Sequence, residues 1–193
     1  MTLFNLSILC LLGYLCGSVL FAPRICQALQ LPSPLTSGSR NPGATNVYRL
    51  GGWLPAGLTL AGDAAKGALP VALAGAWGVA PWVQALIGIA AVIGHMFPVF
   101  HHFHGGKGVA TALGVGLALA PATTALLATV WVTLAGITRI SAVASITAAL
   151  IAPVVSYWLN PEDLALFLLL SLAMLIRHRD NILRLWRGEE KRL

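Results

Sequence analysis

The sequence predicts an all-α, polytopic integral membrane protein with about seven transmembrane helices, its N-terminus outside (periplasmic) and its C-terminus cytoplasmic. Three observations lead there. Of the 193 residues, 58% are hydrophobic and only 9% charged, whereas a soluble domain carries about 25% charged residues. Water is therefore not the solvent for most of this surface. The apolar residues also fall in runs close to the roughly 20 residues that a spanning helix needs. The basic residues, finally, gather in alternate gaps between those runs.

The runs lie at about 4–22, 58–79, 81–100, 108–121, 122–138, 141–159 and 162–177. The first has no basic stretch ahead of it and further spans behind it, so it reads as a transmembrane helix rather than a secretory signal. Cys10, Cys16 and Cys26 form no C-x-x-C pair and no disulfide framework, and read as reduced packing residues. The fourth run is short; Pro121 either separates it from the fifth or kinks one longer helix. Gly and Pro recur inside the spans, as in membrane helices that pack through small residues. The whole chain, 1–193, reads as a single membrane-embedded domain.

Arg24, Arg40, Arg49, Lys107, Arg139 and the basic tail from Arg177 to Arg192 all lie in the odd-numbered gaps or after the last run. Lys66, near the start of the second run, is the exception. The gaps around 80, 121 and 160 hold no Lys or Arg, so the positive-inside bias puts the odd gaps and the C-terminus in the cytoplasm. Trp77, Trp82 and Trp158 then mark the outer boundary, and Trp53 and Trp186 the inner one. The same distribution removes nucleic acid as the reason for the net charge of +6. The longer polar gaps are all on the inner side, and the chemistry is expected there.

The first long gap contains SGSRNPGATNVYRLGG, Ser37 to Gly52. Its glycines, Asn41-Pro42 and small hydroxyl residues read as turns rather than as an amphipathic helix. Successive backbone N–H groups in such a segment form an anion nest. Ser39 and Thr45 add hydroxyls, Arg40 and Arg49 add charge, and Asn41, Gly43 and Asn46 make the segment denser in polar function than a linker needs. A second segment, GHMFPVFHHFHGGKGVAT, centres on Gly105-Gly106-Lys107-Gly108, a glycine turn that opens a helix. Backbone donors, a helix dipole and an ammonium together suit a phosphate dianion. It is not a Walker A loop, because Gly108 stands where Ser or Thr is required and His101 where the first glycine belongs.

His95, His101, His102 and His104 lack the H-E-x-x-H pattern, and carboxylates are too scarce to complete a catalytic zinc site. They read as partly charged histidines beside an anion site, which makes the site pH-dependent. No metal and no cofactor are expected. Asp63 and Lys66, at i and i+3, share a helix face and read as a structural pair that neutralises itself. Ser141 and Ser145 share a helix face at the inner surface; for Ser145 a packing role and a ligand role both stay open. Arg177 to Glu190 reads as a basic juxtamembrane helix attracted to anionic membrane lipid.

Together with Gly17-Ser18 and GDAAKG, these segments resemble the PlsY family, the acyl-phosphate:glycerol-3-phosphate acyltransferases of bacterial phospholipid synthesis. The matching blocks follow the family order from residue 17 to residue 190. The resemblance implies a seven-helix inner-membrane enzyme with an external N-terminus and a cytoplasmic active site. It implies transfer of a fatty acyl group from acyl phosphate to the 1-position hydroxyl of glycerol 3-phosphate, giving lysophosphatidic acid and phosphate. Neither acyl-CoA nor acyl carrier protein would be the direct donor, and coupling to the soluble enzyme that makes acyl phosphate follows. By the same resemblance Ser39, Arg49, Lys107, Ser141, His178 and Asn181 would contact substrate phosphates, with Ser39, Lys107 and Ser141 nearest the chemistry. Thr45, Asn46, Gly105, Gly106 and Gly108 complete the expected binding set. The chain departs from the family at His101, His102 and His104, where lysines or apolar residues are usual, and at Arg40 and Pro42, where smaller residues are common.

Acyl phosphate is an activated mixed anhydride, so the protein needs mainly to orient it, stabilise an oxyanion and neutralise the departing phosphate. Lys107 and the amides of Gly105–Gly108 suit those tasks. No Ser-His-Asp set is evident and no H-x4-D motif exists, since Phe100, Gly106, Lys107, Val109 and Leu183 stand five residues after the histidines. The hydroxyl proton goes either to a substrate phosphate oxygen, as the resemblance suggests, or to a histidine, His95 first. A small-anion or phosphate-ester transporter is the alternative class, but its polar groups would sit near the bilayer midplane within repeats. A lipid-phosphate phosphatase would need paired Arg/His blocks that are missing.

Overall fold

The computed structural model describes Thr2–Leu193, and among these residues every regular element is helical. Two compact units divide the chain, one running to Leu119 and the other from Ala120 to Leu193. The first holds α1 (Leu3–Gly17), α2 (Phe21–Ala28), α3 (Ala44–Gly51), α4 (Trp53–Ala76), α5 (Pro81–Met96) and α6 (Val109–Leu119). Within it α1 lies on α5 and α4 on α6, and glycine makes both contacts. A Cβ at Gly13 or Gly17 would strike the carbonyl of Ile87 or Ala91, and one at Gly94 the carbonyl of Tyr14. Gly67 and Gly114 are pressed in the same way against the backbone of Thr111 and Ala64. Lipid offers little hydrophobic drive for helix association, so close backbone approach supplies the attraction instead.

The first apolar run, expected as one helix, is broken between Gly17 and Phe21. Pro23 explains the break, because it has no N–H for the Val19 carbonyl four residues earlier and its ring clashes with it. The Lys66 ammonium takes that carbonyl instead, at 2.7 Å. The device recurs in α4, where Pro70 deprives the Lys66 carbonyl of its ladder donor and the Cys16 thiol donates to it at 3.4 Å. Cys16 therefore ties α1 to α4, beyond the plain packing role expected of it.

The stretch 23–57, expected as an open gap, is largely helical. The second half of SGSRNPGATNVYRLGG forms α3, and α4 begins at Trp53 rather than near 58. The expectation of turns failed because the buried face of α3 is part polar: Asn46 and Val47 point inward, so the apolar periodicity that marks a helix is masked. Gly52, at φ 81°, separates the two helices in a conformation that favours glycine.

The second unit holds α7 (Pro121–Thr138), α8 (Ser141–Leu159), α9 (Leu164–Arg177) and α10 (Arg179–Trp186). Pro121 occupies the first turn of α7, where its missing N–H costs nothing, so it starts a helix rather than kinking one. α8 packs against both α7 and α9. Thr123 Oγ1 donates to Asn160 Oδ1 at 2.9 Å, and the Trp131 indole N–H to Ser145 Oγ at 2.9 Å. Ser145 is thus a buried interhelical acceptor.

Four stretches, Leu3–Ala28, Pro81–His101, Pro121–Thr138 and Ser141–Leu159, are long and apolar enough to cross a membrane. Leu126, Val132, Ile137 and Leu150 lie on the outside, while Asp63, Lys66 and His95 are 1%, 3% and 3% exposed. Apolar surface outward and charge inward is the arrangement a lipid solvent demands. The chain is a multi-pass membrane protein.

Candidate active site

The loop ahead of α3 is built around one buried side chain. Asn46 Oδ1 accepts the Ser39 N–H at 2.8 Å, while Asn46 Nδ2 donates to the carbonyls of Pro34 and Ser37, both at 3.1 Å. The loop closes so tightly that a Cβ on Gly38, at φ 67°, would fall on Asn46 Oδ1. Asn46 was expected to touch substrate; its oxygen and its amide hydrogens are instead engaged inside the loop, and it positions Ser39. Ser39 is exposed, and Thr45 and Arg49 are half-buried one turn apart on the same face of α3. Removing Asn46 leaves the buried Pro34 carbonyl without this donor, at about 1–3 kcal/mol, and opens the part-buried Ser37 carbonyl and Ser39 N–H to water. Asn46→Ala is therefore expected to speed hydrogen exchange of the Ser39 amide at least about tenfold and to lower the melting temperature.

The second loop turns back on the end of α5. A single 3₁₀ turn, Val99–His101, leads into His102 and Phe103, both in the left-handed region at φ 49° and 61°. Phe103 N–H donates to the Pro98 carbonyl at 2.9 Å and Gly106 N–H to the His95 carbonyl at 3.0 Å. The Gly106 amide, expected in the anion nest, is thus engaged by α5. Lys107 is half-buried, and Gly108, at φ 83°, delivers the chain into α6. The glycine turn does open a helix, and its lysine stands ahead of the positive end of that helix dipole. Of the four histidines in this segment, His102 and His104 are exposed, His101 is half-buried and His95 is buried. Among the described residues no three His, Cys, Asp or Glu side chains are grouped so as to hold a metal ion.

Behind the turn, Asp63 and Lys66 form the expected pair at 2.7 Å. Its third member was not legible in the sequence, because it comes from another helix: His95 Nδ1 lies 2.8 Å from Lys66 Nζ and 3.7 Å from Asp63 Oδ1.

In the second unit Ser141 begins α8, two residues after Arg139 at φ 58°. Thr138 shapes this corner by accepting the Ile140 N–H at 3.1 Å and donating to the Leu134 carbonyl at 2.6 Å. His178 and Asn181 lie at the α9–α10 junction, each 3% exposed. His178 Nδ1 is 2.7 Å from the Met174 carbonyl, and Asn181 Nδ2 donates to Glu190 Oε1 at 2.8 Å. Glu190 also holds Arg184 Nε at 2.7 Å. That clamp was missed from sequence, although Gly188, at φ 71°, signals the reversal that brings Glu190 back.

A model of the family described as glycerol-3-phosphate acyltransferase matches residues 7–188. A glycerol-3-phosphate acyltransferase of Hahella chejuensis is 56% identical over 98% of this chain and 98% of its own length. One from Halorhodospira halophila is 50% identical over 96% of this chain and 95% of its own. The crystal structure of PlsY, an integral membrane glycerol 3-phosphate acyltransferase in its glycerol 3-phosphate form, superposes with a TM-score of 0.90 at 36% identity, covering 98% of this chain and 96% of that one. Its lysophosphatidic acid form gives a TM-score of 0.88, at 36% identity, over 98% and 95% of the two chains.

Proposed function

The chain belongs to the glycerol-3-phosphate acyltransferase family, and from that premise we propose that its acyl donor is acyl phosphate and its acceptor atom the 1-position hydroxyl of glycerol 3-phosphate. The observation that carries the proposal is the glycine turn with Lys107 ahead of α6, an arrangement suited to holding a phosphate that leaves. A PlsY relative has been crystallised in forms with glycerol 3-phosphate and with lysophosphatidic acid, the acceptor and product this reaction requires.

In the step itself the glycerol hydroxyl oxygen bonds to the acyl carbon, the bond from that carbon to the phosphate oxygen breaks, and phosphate departs. Lys107 and the turn around it neutralise the charge on the departing phosphate; in the first unit Ser39, Thr45 and Arg49, and in the second Ser141, His178 and Asn181, are the groups assigned to substrate phosphate. An activated donor needs no acyl-enzyme. The hydroxyl proton goes to a phosphate oxygen of substrate rather than to His95. An ammonium only donates hydrogen bonds, so Lys66 Nζ, 2.8 Å from Nδ1, would occupy that lone pair and put the ring proton on Nε2, and such a ring has no nitrogen to act as base. His95→Gln keeps an N–H in that place and is expected to lower turnover less than about tenfold; a general base would lose about 10²–10⁴-fold.

Seven spans with an external N-terminus and a cytoplasmic C-terminus fit the one-sided distribution of basic residues, and place the reaction at the cytoplasmic face of the inner membrane. There it would draw acyl phosphate from the soluble enzyme that makes it. Residues 1–193 act as one acyltransferase domain, in keeping with a family match that runs through both compact units. Protein reconstituted in vesicles tests the proposal against transport. Given palmitoyl phosphate and glycerol 3-phosphate, it is expected to form lysophosphatidic acid; accumulation of glycerol 3-phosphate inside vesicles without acylation would favour the transporter.

A further inference from the structure

The most deeply buried cation of the first unit has no task in the reaction as described. Lys66 lies in the middle of α4, and its ammonium meets three groups: it forms an ion pair with Asp63 Oδ1 at 2.7 Å, donates to the Val19 carbonyl at 2.7 Å and lies 2.8 Å from His95 Nδ1. A pair that merely neutralised itself at i and i+3 would need only the first. The second is the carbonyl that Pro23 leaves without a ladder donor, and the third belongs to the helix that leads into the glycine turn. A charge buried in a membrane helix is costly and tends to be functional.

His95 meets the turn in two ways. Its carbonyl accepts the Gly106 N–H at 3.0 Å, and its Nε2 occupies the space where a Cβ on Gly106 would stand. Because Nδ1 faces an ammonium, the ring proton is on Nε2, the nitrogen directed at Gly106. We propose that Lys66, anchored by Asp63, is a positioning residue for the phosphate-binding turn: it fixes His95 in its Nε2-protonated form and holds that ring against Gly106. The α1–α2 break, α4 and α5 thereby meet at one ammonium, and the turn is in place before substrate arrives. This deepens the acyl-phosphate reading and rests on it for the role of the turn.

The double variant Asp63→Asn/Lys66→Met removes both charges together, so no orphan charge is left behind. Melting without ligand and the KM for palmitoyl phosphate, read from phosphate release, separate the two roles. A positioning network predicts a folded variant whose KM rises about tenfold or more, with a smaller change in kcat. A folded variant with wild-type KM and kcat would reduce the pair to self-neutralisation and overturn the proposal. Nitrogen-15 histidine spectra of the wild type decide the matter independently of any variant's folding, with His95 assigned by the signal lost in His95→Gln. A signal from Nε2–H with unprotonated Nδ1 supports the network; Nδ1–H or a doubly protonated ring contradicts it. Wild-type protein that releases no phosphate would refute the acyl-phosphate reading, and the spectra would still decide the tautomer.

Discussion

Lys107→Ala is expected to lower turnover about 10²–10³-fold while leaving the fold intact, the loss seen when one donor aimed at developing charge is removed. The turn has backbone ties of its own. Gly106 is tied to the His95 carbonyl, Gly108 takes the left-handed conformation, and Ala112 N–H bonds to the Gly108 carbonyl at 2.7 Å. What the substitution removes is the ammonium. If that charge acts on the departing phosphate, kcat falls along with kcat/KM. If it only holds substrate, KM rises alone. Lys107→Arg is expected to recover part of the rate, because it restores charge but presents a planar fork instead of a compact point. Steady-state kinetics on the three proteins, each shown to melt normally, checks this.

Gly105→Ala is expected to abolish most activity, about 10²-fold or more, through displacement of the same turn. Its Cβ would run into the carbonyls of His95 and Met96 and the ring of Pro98. Those atoms are the backbone end of α5 and a proline, which cannot rotate aside as a flexible side chain does. Either the turn moves outward, taking Lys107 with it, or α5 unwinds at its end; overpacking of this kind costs about 1–3 kcal/mol. Gly57→Ala supplies the contrast. Gly57 lies in α4 with nothing near its would-be Cβ, so alanine there favours the helix by up to about 1 kcal/mol and leaves turnover alone. Melting curves and phosphate release on both variants separate a packing effect from a general intolerance of side chains.

Much of this was legible because solvent writes itself into composition. Long apolar runs and the one-sided placement of Arg and Lys led to a helical membrane protein, and four of the runs reappear as stretches long and apolar enough to cross. The glycine turn was also legible, since Gly108 and the apolar run after it announce a helix start. What was hidden depends on partners distant in sequence. The α1–α2 break follows from Pro23, which acts on a carbonyl four residues back and is stabilised by a lysine 47 residues away. α3 was hidden because Asn46 lies on its buried face. Asn46 itself was expected at the substrate, where density of polar residues does not distinguish a ligand from the side chain that ties up a loop. For Ser145 the deciding residue was Trp131, across the α7–α8 packing face.

The most direct test of the central claim compares donors in one preparation. Purified protein in lipid cubic phase receives glycerol 3-phosphate with either palmitoyl phosphate or palmitoyl-CoA, and lysophosphatidic acid and released phosphate are both quantified. Equal amounts of lysophosphatidic acid and phosphate from palmitoyl phosphate, and no product from palmitoyl-CoA, are the predicted result. Product from palmitoyl-CoA, with palmitoyl phosphate inert, would keep the acyltransferase and contradict the assignment of the turn to a departing phosphate.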